Sequence, residues 1–142
     1  MKLSTRGRYG IHAMYDLAVH YGDGPQSIKC IAERQGIPEA YLEQLIAVLR
    51  REKLVISNRG AQGGYRLAKE PENYTVGSIL RLTEGDLAPV ACLAGEENRC
   101  ERCGECPTLD FWTGLYATVN AYIDRYTLAD LLEEQRRKQG TI

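Results

Sequence analysis

Histidine is scarce in this chain: there are two among 142 residues, and neither a phosphate-cradling glycine loop nor a serine–histidine–carboxylate set accompanies them. Nothing in the sequence asks for an enzyme. Also missing is an apolar run of the ~20 residues needed to cross a bilayer, and the N-terminus lacks the charged, apolar and small-residue series of an export signal. The expectation is a cytoplasmic chain with no membrane partner, in a compartment that keeps thiols reduced. Charge of one sign is not in excess either. The 18 Lys and Arg against 19 Asp and Glu leave a net charge of −1, too little for indiscriminate binding to a polyanion.

That average hides an asymmetry. Residues 1–69 hold eleven Lys or Arg against six Asp or Glu, whereas residues 70–142 hold seven against thirteen. A basic front half suits a phosphate-facing surface, and Lys2, Arg6 and Arg8 crowd its beginning. The composition, 44% apolar, is that of an ordinary globular core.

Along the chain, apolar residues at three- and four-residue steps predict a helix over 5–21, with Tyr9, Ile11, His12, Tyr15, Leu17, Ala18, Val19 and Tyr21 on its packed side. Ser27 is a good N-cap for a short second helix, Gly36 breaks it, and Pro38 opens a third from about Glu39 to Glu52. Two helices joined by a tight glycine turn make a helix-turn-helix, whose second member enters the major groove. Its outward side carries Glu43, Gln44, Arg50 and Arg51. Gln44 can pair bidentately with adenine, and Glu43 can accept from the amine of cytosine, a choice worth roughly 1–3 kcal/mol against the wrong base. Leu54–Ile56 and Tyr65–Leu67 are short strand candidates flanking a glycine-rich tip that holds Arg59. A hairpin directly behind a recognition helix is a wing, and an arginine at its tip suits the narrow minor groove.

Thr75 should cap a short helix from Val76 to about Thr83. From Pro107 to about Tyr126 a long helix carries Phe111, Trp112, Leu115, Tyr116, Val119 and Tyr122, more apolar surface than one small domain covers, so pairing with the same helix of a second copy is expected. A last helix over Leu128–Leu132 and a frayed Arg136-Arg-Lys tail complete the chain. The expected fold is mainly α with a small β-hairpin. A winged helix-turn-helix domain spans 1–84, a cysteine-rich loop 85–106, and a dimerisation helix with a C-terminal helix 107–142.

Four of the five cysteines, Cys92, Cys100, Cys103 and Cys106, fall within fifteen residues rich in Gly, Glu and Arg, where packing cannot explain them. An iron–sulfur cluster, a structural zinc and a disulfide clip all remain open. The compartment disfavours the disulfide, and four-thiolate zinc sites usually come as two separated short-spaced pairs. Cys100-x-x-Cys103-x-x-Cys106-Pro107 is instead spaced like the opening cysteines of a bacterial ferredoxin. Cys30, alone on a helix, reads as a small core residue.

Several of these stretches closely resemble the IscR-type regulators: Met1–Tyr9, the run from Ile31 to Ile37 with Tyr41–Leu45, the wing Arg59–Tyr65, and the series Cys92, Cys100, Cys106. The similarity covers about residues 1–132 and, taken jointly, its motifs are highly specific. The resemblance implies a dimeric winged helix-turn-helix transcription factor, with an iron–sulfur cluster, typically 2Fe-2S, in the loop before the dimer helix and 4Fe-4S as the alternative. Members control iron–sulfur assembly genes, sense nitric oxide, or repress cysteine metabolism without the cluster cysteines. By the same resemblance Cys92, Cys100 and Cys106 match the cluster ligands, and Glu43, Gln44 and Arg59 match base- and groove-contacting positions. The family commonly places a histidine three residues after the last cysteine, where this chain has Leu109. Cys103 is the nearest substitute, with Asp110 or His12 of a second subunit as further candidates, although His12 itself reads as a core residue.

The resulting expectation is a DNA-binding repressor or activator that is a homodimer on a double-stranded operator. Cluster occupancy would alter its affinity or site choice, it would control iron–sulfur assembly genes, and cluster-donor proteins would be partners. Nitric-oxide or redox sensing through the same loop, and a structural zinc, stand as alternatives.

Overall fold

A computed structural model describes residues 2–140. Six helices, α1 (Thr5–Val19), α2 (Ile28–Gln35), α3 (Glu39–Arg51), α4 (Val76–Glu84), α5 (Leu109–Arg125) and α6 (Leu128–Lys138), surround one hairpin of β1 (Val55–Asn58) and β2 (Gly64–Leu67). The strands are antiparallel, with Val55 opposite Leu67 and Asn58 opposite Gly64. The fold is mainly α and of the winged helix-turn-helix kind, as the sequence implies.

Local chemistry sets the helix ends. Ser4, Ser27 and Thr75 each turn a side-chain oxygen back onto a first-turn amide, and Thr127 with Asp130 forms a reciprocal capping box on α6. Gly36, at φ 65°, closes α2 in the left-handed region, which costs a glycine little, and so sets the sharp turn into α3.

One core joins all but α5. Met14 and Leu17, Ile31, Leu42, Ile46 and Leu49, Val55 and Leu67, Ile79 and Leu128 meet with no more than 2% exposure each. Burying each contributes about 1.5–3 kcal/mol before the cost of ordering. The helix-turn-helix is also held by polar contacts. Asp16, 1% exposed, accepts from Arg34 Nε (2.9 Å) and Nη2 (2.8 Å) and from Gln35 Nε2 (3.1 Å), which ties α1 to α2. The wing is fixed at its base by the Tyr74 hydroxyl and on its flank by Gln26, whose backbone exchanges two 2.8 Å hydrogen bonds with Tyr65.

Four expectations need correction. First, α1 ends at Val19, and its buried face is Gly7, Gly10, Ala13, Met14, Asp16, Leu17 and Ala18, leaving His12, Val19 and Tyr21 exposed. Close approach of α4 selects Gly7 and Gly10 on this face, while Met14 and Leu17 fill the core and Tyr9 and Ile11 pack partly buried against it. Second, His12 is therefore not a core histidine. Third, Cys30 is exposed, because α2 buries Ile31 and Ala32 instead. Fourth, the tail is helical to Lys138, with Arg136 and Arg137 paired to Glu133 (2.7 Å) and Glu134 (2.6 Å) one turn back.

Helix α5 stands apart. It buries no residue and packs on α4 alone among the larger contacts, through Arg81, whose guanidinium grips Asp124 at 2.7 and 2.8 Å and Asn120 at 3.0 Å. Phe111 (64% exposed), Leu115 and Tyr122 (52%) lie open along one side of it, at spacings of four and seven residues.

Candidate nucleic-acid interface and cysteine loop

The helix α3 turns Leu42, Leu45, Ile46 and Leu49 into the core, so its 3.6-residue period leaves Glu43, Gln44 and Arg50 exposed on the opposite side. The start of α1 lies beside this face. Arg6 and Gln44, with Tyr41 and Leu45, line one cavity of about 260 Å³, and the rings of Tyr9 and Tyr41 meet edge to face at 5.6 Å. Thus Arg6, a phosphate candidate, and Gln44, a base-reading candidate, are brought together. Lys2 and Arg8 are exposed on the same segment.

Arg59 sits at the exposed wing tip, where Gly60, at φ 109°, lets the chain reverse and Gly63 N donates to Gly60 O at 3.0 Å. A Cβ on Gly63 or Gly64 would collide with the carbonyl of Asn58 or of Gln26, so no larger residue fits the return strand there. Between wing and body runs a groove of about 350 Å³ that Arg59 shares with Arg50 of α3 and with Ser27, the cap of α2. Two guanidinium groups beside the N-terminal amides of a helix make a surface suited to a phosphate. Sequence reasoning had Arg50 only as an outward residue. Its pairing with Arg59 requires the hairpin to fold back over the end of α3, which no local pattern announces.

The cysteine loop leaves α4 at Gly85 and returns to a helix at Leu109. Its own bonds are short-range: Asp86 accepts from Ala88 N (2.8 Å) and Gly95 N (3.0 Å), Asn98 from Cys100 N (2.9 Å), and Cys100 O from Cys103 N (3.2 Å). All the cysteines are free thiols. Cys92 and Cys100 line one open cavity of about 860 Å³, while Cys106 borders another with Arg102 and Glu105. The Thr108 hydroxyl lies 3.4 Å from Cys106 Sγ and, with neighbouring backbone amides, holds that thiol below its ordinary pKa, toward the thiolate a metal needs.

These donors fit an iron–sulfur centre or zinc in kind, being four thiols on a pliant loop. Among the described residues no three of His, Cys, Asp and Glu stand together as a metal-holding group. Holding one therefore requires the loop to draw Cys103 or Cys106 toward the cavity that Cys92 and Cys100 share. Of the other candidate ligands, Asp110 is exposed in the first turn of α5 and His12 is exposed on α1. Among the described residues no helix is long and apolar enough to cross a membrane.

Comparison with known proteins agrees with this arrangement. Residues 3–134 match the family profile described as Rrf2, iron-dependent transcriptional regulator. The HTH-type transcriptional regulator CymR of Bacillus subtilis (strain 168) is 43% identical over 131 residues, covering 92% of this chain and 89% of that protein. The HTH-type transcriptional regulator IscR of Aliivibrio salmonicida (strain LFI1238) is 37% identical over 139 residues, covering 98% and 82%. Among solved structures, that of T. potens IscR superposes with a TM-score of 0.78 at 45% identity, covering 98% of this chain and 91% of that one. The relatives are named as transcriptional regulators, not as enzymes.

Proposed function

The chain belongs to the Rrf2 family of transcriptional regulators, and from that membership we propose that it acts as a homodimer on a double-stranded operator and takes the state of its cysteine loop as the signal. The observation that carries this reading is the occurrence, in one chain, of an exposed α3 face where Arg6 and Gln44 line one cavity and of a loop of four free thiols that make no disulfide. Relatives of the IscR and CymR kinds are comparably similar, so likeness alone does not choose a cofactor. The four thiols favour an iron–sulfur cluster, 2Fe-2S or 4Fe-4S, and with it control of iron–sulfur assembly genes.

In this reading Glu43 and Gln44 meet base edges in the major groove, and Arg59 enters the flanking minor groove. Lys2, Arg6, Arg8 and Arg50 meet phosphates and fix the register. Phe111, Leu115 and Tyr122 pair with the same residues of a second copy, which places two recognition helices on a pseudo-palindromic site. When bound, a cluster supplies a reversible cross-link among Cys92, Cys100, Cys106 and a fourth donor, Cys103 being the nearest in the chain. The loop can bias DNA binding only by its different interaction energy in the two states.

Anaerobic purification followed by footprinting tests this. A brown protein whose operator affinity or site choice changes when the cluster is removed is the expected result. Identical footprints from loaded and metal-free protein would remove the signalling role, and a colourless protein with stoichiometric zinc would make the loop a structural metal site. Loss of the chromophore in Cys106→Ala but not in Cys103→Ala would exclude Cys103 as an essential ligand. Glu43→Ala should reorder the preferred sequences of a randomised DNA library, and an unchanged ranking would take Glu43 out of base reading.

A further inference from the structure

Helix α4 ends at Glu84, and the next residue, Gly85, at φ 83° and ψ −132°, opens the cysteine loop. The Glu84 side chain does not follow the loop. It crosses to the first turn of α1, where Oε1 accepts from Ser4 N at 2.8 Å, Ser4 Oγ at 2.7 Å and Gly7 N at 2.9 Å. One carboxylate oxygen thus gathers three donors, two of them amides that a helix start leaves without an intrahelical partner.

The seat is close-fitting. A Cβ on Gly7 would stand 2.5 Å from Glu84 Oε1, and one on Gly10 would stand 2.8 Å from Thr83 Cγ2, so the last turn of α4 rests directly on the backbone of α1. Gly7 lies between Arg6 and Arg8, the cations assigned above to phosphates. One turn before Glu84, Arg81 holds α5 through Asp124 and Asn120. The last turns of α4 therefore touch the helix assigned to dimerisation, the start of the thiol loop and the basic segment assigned to DNA.

We propose that Glu84 is the positioning residue through which the state of the cysteine loop reaches the basic N-terminal segment. This rests on the reading of the chain as a loop-regulated DNA-binding protein. A loop rearrangement that rotates the last turn of α4 moves Glu84 Oε1 relative to Ser4 and Gly7. Hydrogen bonds near 2.8 Å are lost beyond about 3.5 Å, so a displacement of about 1 Å breaks the latch. Once it breaks, the start of α1 keeps only the Ser4 hydroxyl on Arg6 N, at 3.2 Å, as its cap. The first turn frays, and Arg6 loses its fixed relation to Gln44.

The test is amide exchange at Ser4 and Gly7, read by NMR on the full chain in three loop states: cluster-loaded, metal-free, and with its thiols alkylated by iodoacetamide. In the wild type, protection at these two amides should differ between loop states by about 5-fold or more, the lower end of ordinary allosteric coupling. In Glu84→Ala, which removes the acceptor oxygen, protection should be low in every state and the ratio should fall toward one, with the loop chromophore unchanged. Ser4→Ala, which leaves the carboxylate in place but removes the hydroxyl, should diminish the response in the same direction and serves if Glu84→Ala does not fold. Equal protection in all wild-type states, or a wild-type response in these variants, overturns the proposal. Failure of the cluster reading shows separately as a colourless protein, and the alkylated arm still decides the latch.

Discussion

Tyr74→Phe removes one oxygen and tests how the wing is held. The Tyr74 ring is 2% exposed, and its hydroxyl donates to Leu54 O at 2.7 Å while accepting from Ala68 N and Lys69 N, each at 3.0 Å. Leu54 precedes β1, and Ala68 and Lys69 follow β2, so a single hydroxyl closes the base of the hairpin whose tip carries Arg59. Phenylalanine fills the same space, which leaves almost no cavity term. The loss is then three hydrogen bonds at about 1 kcal/mol each, plus the penalty for any group left unsatisfied, about 1–3 kcal/mol. That penalty is reduced here, because Lys69 is exposed to water and Ala68 N keeps a 3.2 Å bond to Leu54 O.

The expected destabilisation is about 3–4 kcal/mol, or a fall in Tm of roughly 10–13 °C for a chain of this length. Urea unfolding followed by circular dichroism at fixed protein concentration measures it, with the denaturant slope unchanged. A loss below about 1 kcal/mol would refute the hydrogen-bond accounting. Burial also holds the Tyr74 hydroxyl above the ordinary tyrosine pKa, so in a spectroscopic titration it should ionise among the last of the nine tyrosines.

The exposed stripe on α5 predicts that Phe111→Glu or Tyr122→Glu weakens self-association by about 100-fold while the monomer keeps its helical content, read by sedimentation and circular dichroism. Asp16→Ala strips Arg34 and Gln35 of a buried acceptor and should cost about 2–3 kcal/mol in urea unfolding, less than for a fully buried pair because Arg34 is 35% exposed. The Ser4 hydroxyl holds the Glu84 carboxyl below its ordinary 4.5, and Arg81 holds Asp124 below its ordinary 3.8. A lowered folded-state pKa means the contribution is complete above the ordinary value and is lost as pH falls through the lowered one, so Gly7 amide protection should be flat above pH 4.5 and drop only in stronger acid.

The helix-turn-helix was legible because its signals are local. Ser27 caps α2 by accepting from Cys30 N, and Gly36 takes the left-handed turn that its lack of a Cβ allows. The buried side of α3 followed from Leu42, Leu45, Ile46 and Leu49, large residues at helical spacing. The packed face of α1 was legible only in part: Leu17 and Ala18 are buried and Tyr9 and Ile11 pack on the core, but close approach to α4 selects Gly7 and Gly10, which carry no hydropathy signal, and His12 is exposed. The helical tail is a different case. The pairs Glu133–Arg136 and Glu134–Arg137 and the box at Thr127 are visible in the sequence, but the run of charge reads as a frayed end when propensity and caps are not weighed together. Arg50 beside Arg59, and Glu84 on Ser4 and Gly7, join residues far apart in sequence and need the fold itself.

The loop's poverty in apolar residues bears on how a signal can leave it. Leu87 is its one buried hydrophobic, at 8% exposure, and from Ala88 to Thr108 the hydrogen bonds stay within the loop or run to Asp86 and the start of α5. Rearranging the stretch from Cys92 to Cys106 therefore breaks no core packing, so the strain from the metal binding proposed there would be felt at the loop's two ends. Those ends differ in stiffness. At Thr108 the chain enters α5, which buries nothing within one subunit and can be displaced at low cost. At Gly85 it joins a turn that includes Thr83, 3% exposed and packed against Gly10, and Ile79, fully buried one turn earlier. A pull at Thr108 acts on a helix with no buried residue, whereas a pull at Gly85 acts on a seated one and must either stop there or move Glu84 against α1. The proposed pairing of α5 in a dimer would stiffen the soft end and pass more of the strain to Gly85; loosening that pairing with Phe111→Glu should accordingly reduce the loop-dependent change in Gly7 protection even though Phe111 lies outside both the loop and α4.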